Sequence, residues 1–217
     1  LKPFCDEIGC RILSLNANGI GEITEGLENL DSFFEPSKRT YNDLAALLYT
    51  SGTTGKPKGA MLTEQNLVSN AQELINLWNI NRNDTLIHSL PIYHTHGLFV
   101  AMNTTMMAGA TVRLLKNFNL DYVFEAFDKS TLMMGVPTFY TRLLKDKRLN
   151  KKHTKNMRLF ISGSAPLLKE THKNFYDITG HHILERYGMT ETNMNSSNPL
   201  DGVRKAGSVG KLSLIHI

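Results

Sequence analysis

Short apolar runs rich in β-forming residues alternate along the chain with longer stretches whose apolar positions recur every three or four residues. The runs at residues 44–50, 85–90, 111–115, 132–136, 158–162 and 183–187 read as strands, and the stretches between them as helices. The clearest helix begins after Thr63, a suitable N-cap, with Leu67, Ala71, Leu74, Ile75 and Trp78 on one face. Others are expected over residues 98–107, ending before Gly109, over 120–129, over 137–145, and over 167–179, ending before Gly180. This alternation is the pattern of parallel strands joined by crossover helices, so the expected class is α/β, with layered parallel-rich sheets. Residues 1–40 have weaker periodicity, broken at Gly19, Gly21 and Gly26, and read as a linker or small leading subdomain before a main body at 41–211.

Composition narrows the function classes. With 41% hydrophobic and 20% charged residues in 217, the chain matches an ordinary soluble globular protein. The net charge of +4 is scattered except at residues 145–155, a stretch that also reads as a helix end and loop. A solvated connector accounts for that stretch, and no nucleic-acid partner is expected. No apolar run approaches the roughly 20 residues of a membrane span. Cys5 and Cys10 lack zinc-site spacing, and the eight histidines form no metal-binding array, so no protein-bound transition metal is expected. The sequence does not begin with Met and reads as an internal fragment, with a cytoplasmic location expected and a mitochondrial one as the alternative for a eukaryotic source. Its last residues, 212–217 (LSLIHI), read as a non-native tail; the oligomeric state is not legible.

In parallel α/β sheets, ligands sit beyond the carboxyl ends of the strands. Four loops are expected there: TSGTTGKPKG (50–59), LPIYHTHGL (90–98), SGSAPL (162–167) and ERYGMTET (185–192). The first is rich in glycine, hydroxyls and lysine, as phosphate-holding loops are. It is not the nucleoside-triphosphatase loop G-x-x-x-x-G-K-[ST], because Gly52 and Gly55 are only three apart and Lys56 is followed by Pro57. A phosphohydrolase or switch GTPase is disfavoured on that ground.

The run LLYTSGTTGKPKGAMLT, followed at a long interval by YGMTE, resembles the adenylate-forming superfamily of acyl-CoA synthetases, luciferases and peptide-synthetase adenylation domains. LPIYHTHGLFVA, VPTFYTRLL, LFISGSAPL and LERYGMTETNMN are similar to its malonyl-CoA synthetase branch, and the likeness spans residues 44–210, part of the large N-terminal domain of such an enzyme. The resemblance implies a ligase that joins a carboxylate to the α-phosphate of ATP, expels pyrophosphate, and passes the acyl group to coenzyme A with release of AMP. It places Thr50, Ser51, Gly52, Thr53, Thr54, Gly55 and Lys56 around the departing phosphates, and Gly163, Ser164 and Ala165 along the adenine pocket. It puts Tyr187 and Gly188 against the adenine, Thr190 on the α-phosphate and Glu191 on Mg²⁺, with Lys56, Thr190 and Glu191 as the catalytic set. A carboxylate beside a triphosphate requires such a cation between them. For Gly163, Ser164 and Ala165 a plain strand-to-helix turn capped by Ser164 is the alternative reading.

Malonate carries a second carboxylate, and a buried charge is costly unless paired. Arg186 is the candidate clamp, with a surface ion pair as its alternative; Arg142 is a second candidate, with a solvated helix face as its alternative. His94, His96 and Met189 are the other expected acid-pocket residues, the histidines as hydrogen-bond donors. Methylmalonate or another short acid, a fatty or aryl acid, and a non-catalytic nucleotide-binding module remain open. The family's C-terminal lid, with its adenylation lysine, is not among these residues, so the 217 residues alone are expected not to turn over.

Overall fold

Neighbouring residues on the central strands send their side chains to opposite faces, and this alternation sets the layers of the fold. The computed structural model describes residues 2–50 and 56–212. The chain divides into two compact units, Leu1–Arg39 and Thr40–Ile217. The first holds helix α1 (Lys2–Glu7) and two short 3₁₀ turns, Glu22–Thr24 and Leu27–Asn29, none with a buried side chain.

The second unit opens with strands β1 (Leu44–Thr50) and β2 (Lys58–Thr63), which pair antiparallel as a separate two-stranded sheet. TSGTTGKPKG therefore begins at the last residue of β1 and ends within a second strand, before any helix begins. That strand escaped the sequence pattern because a single buried residue, Leu62, follows the polar, glycine-containing start of the strand. Helix α2 (Glu64–Trp78) follows directly. The Thr63 hydroxyl accepts from Asn66 N–H at 3.2 Å while Asn66 Oδ1 accepts from Thr63 N–H at 3.0 Å, a reciprocal cap that fixes the helix to β2.

A seven-stranded sheet forms the rest. Its strands are β3 (Thr85–His88), β4 (Thr111–Leu114), β5 (Leu132–Gly135), β6 (Leu159–Ser162), β7 (Leu184–Met189), β8 (Asn193–Ser197) and β9 (Lys211–Leu212), in the order β4-β3-β5-β6-β7-β8-β9. The first five in that order are parallel, and β8 and β9 are antiparallel additions. The crossovers use α3 (Thr104–Met107), α4 (Leu120–Phe127), α5 (Pro137–Leu144) and α6 (Lys169–Thr179). Ile87, Met133 and Phe160 pack on one face with Val123, Phe127, Tyr140 and Phe175; Leu86, Leu132, Met134, Leu159 and Ile161 pack on the other with Leu74, Trp78 and Val100. Most of the expected helix at 98–107 is coiled more widely, since only α3, Thr104–Met107, is α-helical and His96–Asn103 is a π-helix. Such segments are rare and recur at functional sites.

The amino end of the sheet is tied shut. Asp84, Thr131 and Arg158 immediately precede three neighbouring strands, and the Arg158 fork donates to Asp84 at 2.8 and 2.6 Å, joined by the Thr131 hydroxyl at 2.7 Å. Arg158 also donates to the carbonyls of Trp78 and Asn79, at 3.2 and 2.9 Å, at the end of α2. Burial raises the Asp84 pKa, but the hydrogen bonds from Arg158, Thr131 and Asn81 outweigh it and hold the carboxyl below its ordinary range.

Candidate active site

Two adjoining cavities, of about 320 and 250 Å³, lie beyond the carboxyl ends of β6 and β7. The larger is bounded by Ser164, Ala165, Pro166, Tyr187 and Val209; the smaller by Thr50, His94, His96, Met189, Thr190 and Glu191. Ser164, Arg186 and Gly188 line both.

Arg186 sits at this junction, only 3% exposed. Its Nε and Nη2 have no hydrogen-bond partner, and among the described residues no carboxylate pairs with it. Burial opposes its charge and pushes the guanidinium pKa down to about 9, which leaves it cationic near neutral pH. The side chain finds room because residue 163 is glycine: a Cβ there would stand 2.5 Å from Arg186 Nε and 2.6 Å from Nη1. Gly163 is thus the seat of the guanidinium; it does not line the larger cavity as Ser164 and Ala165 do. The preceding Glu185 also lines the larger cavity, but its Oε1 is held by Gly207 N–H at 2.8 Å and by His172 Nδ1 at 3.3 Å. The one acid next to Arg186 in sequence is therefore committed elsewhere.

His96, also 3% exposed, is the second unfinished group. Its Nδ1 meets Ser164 Oγ at 3.1 Å and its Nε2 has no partner. Burial, followed by the positive charge of Arg186 and the neighbouring His94 and His88, holds its pKa well below the ordinary value, so the ring is neutral. With Ser164 Oγ accepting from Nδ1–H, Nε2 is an acceptor; with the tautomer reversed, it donates. Ser164 adopts a left-handed backbone at φ 67°, a strained conformation for a residue with a side chain. It does not cap the following helix: α6 starts after Leu168 without a side-chain cap.

YGMTE differs from its expected loop geometry. Tyr187, Gly188 and Met189 belong to β7, and the turn comes at Thr190, Glu191 and Thr192 before β8 returns. A Cβ at Gly188 would overlap the Asn193 carbonyl, so the hairpin closes tightly there. Tyr187 remains 48% exposed on the wall of the larger cavity, a flat surface free to stack. Glu191 is exposed at the mouth of the smaller one.

Thr50 ends β1 and lines the smaller cavity, while Lys56 is exposed on the far side of the hairpin turn. Ser51, Gly52, Thr53, Thr54 and Gly55 lie outside the described residues. Arg142 is not brought to either cavity. It is exposed on α5, with its guanidinium 4.7 Å from the Phe118 ring centre and donating to Phe118 O at 3.4 Å. Two hydroxyls that sequence reasoning passed over do reach the cavities: Ser162 Oγ and Thr95 Oγ1 are buried without a partner. No pattern distinguishes a lone Ser or Thr at a strand or loop end, so only their burial reveals them. Among the described residues, no three His, Cys, Asp or Glu side chains gather to hold a metal ion unaided, and no helix is long and apolar enough to cross a membrane.

A parallel-rich sheet with a cationic, partly unsatisfied cleft at its carboxyl edge defines an α/β domain whose cleft has the chemistry to accept a small anion. The chain belongs to the AMP-binding enzyme family, whose model matches residues 10–215. Malonate–CoA ligase from Arabidopsis thaliana is 38% identical over 201 residues, covering 83% of this chain and 33% of that protein. The mitochondrial malonate–CoA ligase ACSF3 of Mus musculus is 40% identical over 227 residues, covering 97% of this chain and 38% of that one. The crystal structure of ATP-bound MatB from Rhodopseudomonas palustris superposes with a TM-score of 0.93 at 50% identity, over 98% of this chain and 42% of that one. The chain therefore spans between a third and two fifths of the length of these curated relatives.

Proposed function

We propose that the full-length protein converts malonate to malonyl-CoA through a malonyl-adenylate, using ATP and coenzyme A as substrates and Mg²⁺ as the metal. One observation carries the choice of acid: Arg186 is a buried guanidinium with two donor nitrogens that have no partner, and no acidic partner, among the described residues, facing a cavity. A second carboxylate on the substrate supplies the missing partner, and Arg presents a bidentate fork for it. His96 and the Ser162 and Thr95 hydroxyls offer further polar contacts in the same cleft. A fatty or aryl acid would leave Arg186 buried and unmet. Methylmalonate presents the same two carboxylates and is the second reading.

The nucleotide is expected to lie across the larger cavity, its adenine between Tyr187 and the wall formed by Ser164 and Ala165. The Thr50 hydroxyl and Lys56 meet the departing phosphates, and Thr190 the α-phosphate. The residues present fit Mg²⁺: Glu191 is the acid at the cavity mouth, and this ion commonly takes one or two carboxylates, completing its shell with phosphate oxygens and water. The ion would neutralise charge on the phosphates. The near carboxylate oxygen then attacks the α-phosphorus as the bond to pyrophosphate breaks; the coenzyme A thiol, losing its proton, attacks the acyl carbon and AMP leaves. Arg186 acts by holding the distal carboxylate throughout, which fixes the direction of attack.

The test is acid-dependent release of pyrophosphate, followed by thioester formation, across malonate, methylmalonate, butyrate and benzoate with the full-length protein. The proposal expects the two dicarboxylates to be used well ahead of the two monocarboxylates. Preference for butyrate or benzoate would contradict it.

A further inference from the structure

The hairpin bearing Lys56 and the turn bearing Glu191 come from distant parts of the chain and from different sheets, yet they must hold one triphosphate and its ion together. We propose that Asn70 is the positioning residue that fixes the Glu191 turn relative to the phosphate-loop hairpin. This rests on the reading that Glu191 serves the nucleotide's metal.

Asn70 lies on α2, 6% exposed, and its amide grips one residue of β8 in both directions: Nδ2 donates to Met194 O at 3.0 Å, and Met194 N–H donates to Oδ1 at 3.3 Å. Among the described residues, strand β9 covers β8 only at Ser196 and Ser197, and at Met194 the Asn70 side chain engages both backbone groups of β8. Met194 is three residues beyond Glu191, and between them Asn193 is left-handed at φ 55°. A non-glycine residue persists in that conformation only where its surroundings over-determine it. Glu191, Thr192 and Asn193 share a crevice of about 210 Å³ with Asn70 and Asn66, which brings the grip beside the turn. At its other end α2 is continuous with β2 through the reciprocal cap of Thr63 and Asn66. A rigid path thus runs from the hairpin through α2 to Glu191. The same helix touches β8 a second time, where Trp78 Nε1–H donates to Ser197 Oγ at 3.0 Å, far from the turn.

Trp78 provides the control for a merely structural role. In the full-length protein, the Mg²⁺ concentration needed for half-maximal binding of a fluorescent ATP analogue is measured for Asn70→Ala, Asn70→Asp, Trp78→Phe and Glu191→Gln, alongside melting temperatures and the KM values for ATP and malonate. Partners that orient metal ligands from behind typically matter by 10- to 100-fold, so Asn70→Ala should raise the Mg²⁺ requirement roughly tenfold, raising the ATP KM with it. The malonate KM should stay within about twofold, because Arg186 is seated elsewhere. Asn70→Asp keeps the acceptor for Met194 N–H but turns a buried carboxylate oxygen toward the Met194 carbonyl, so it should show the shift at least as strongly, and whichever of the two variants folds decides the matter. Trp78→Phe should lower the melting temperature without moving the Mg²⁺ requirement. An unchanged Mg²⁺ requirement in the folded Asn70 variants, or an equal shift in Trp78→Phe, overturns the proposal. If Glu191→Gln itself leaves the requirement unmoved, the metal reading falls, and the proposal with it.

Discussion

Two arginines stand at opposite ends of the same parallel sheet, one complete and one unfinished. Arg158, at the amino end, meets both oxygens of a carboxylate that is 3% exposed and two helix-end carbonyls as well. Arg186, at the carboxyl end, is more deeply buried, and among the described residues neither acid nor carbonyl meets its Nε and Nη2. A buried charge without a partner lowers stability, which is why removing one member of a buried pair is costly. The contrast separates two uses of the same side chain: at one end the protein supplies the anion and gains a fastening, while at the other it withholds the anion and leaves a place for the substrate's.

The largest effect should come from the unfinished end. Arg186→Leu removes the partner of the distal carboxylate, and leaving that charge buried and unpaired costs on the order of 3 to 5 kcal/mol, so malonate-dependent pyrophosphate release should fall roughly 10²- to 10⁴-fold. Butyrate should lose little or gain. Equal losses on the two acids would reduce Arg186 to a structural residue and erase the contrast with Arg158.

Asp84→Ala addresses the finished end. It strands Arg158, which can turn partly to solvent because its side chain is 31% exposed, so a loss near the low end of the range for broken buried pairs, about 3 kcal/mol, is expected in chemical denaturation. Relative use of malonate and butyrate should be unchanged. A shift in acid preference would mean that the two ends of the sheet are coupled.

A smaller effect tests the seat. Gly163→Ala places a methyl group where the guanidinium lies, and the flexible end of Arg186 can yield without disturbing backbone. The malonate KM should rise roughly tenfold, equivalent to about 1.4 kcal/mol, with the ATP KM little altered. A larger change for ATP than for malonate would return Gly163 to the adenine wall.

The gentlest probe is pH. His88 and His96 have pKa values lowered by burial, so below about pH 6.5 the unfolded chain takes up protons that the folded chain refuses. Stability should therefore decline as pH falls from 7 toward 5. Asp84 is lowered as a carboxylate and contributes stability that is lost only below its ordinary value of 3.8. Urea midpoints at pH 7, 6 and 5 should fall in order for the wild type, and by the same increments for Asp84→Ala. Flat midpoints across this range would contradict the buried, neutral histidines.

How much of this was legible in the sequence depended on whether a residue's neighbours were local. Strands β3, β5 and β6 carry apolar runs because both faces are covered, so they were visible as runs. Thr63 and Gly180 act on the backbone next to them, and both were read correctly as helix ends. Strand β8 was hidden because NMNSS is polar, its backbone satisfied by β7, β9 and the Asn70 side chain, packing that no short pattern encodes. Gly163 was read as part of the adenine pocket, but what approaches it, Arg186, lies 23 positions away on another strand. Arg142 and Arg186 were alike as arginines beside a motif; only the fold sends one to the Phe118 surface and the other into the cleft.

The melting temperature of ligand-free Arg186→Leu, compared with the wild type, tests the unfinished arginine most directly. If the protein leaves this guanidinium unpaired for the substrate, replacing it with a shorter apolar side chain removes an unmet charge, and the variant should melt at the same temperature or higher. A fall comparable to that of Asp84→Ala would show that Arg186 already has a partner within the protein, and would contradict the account.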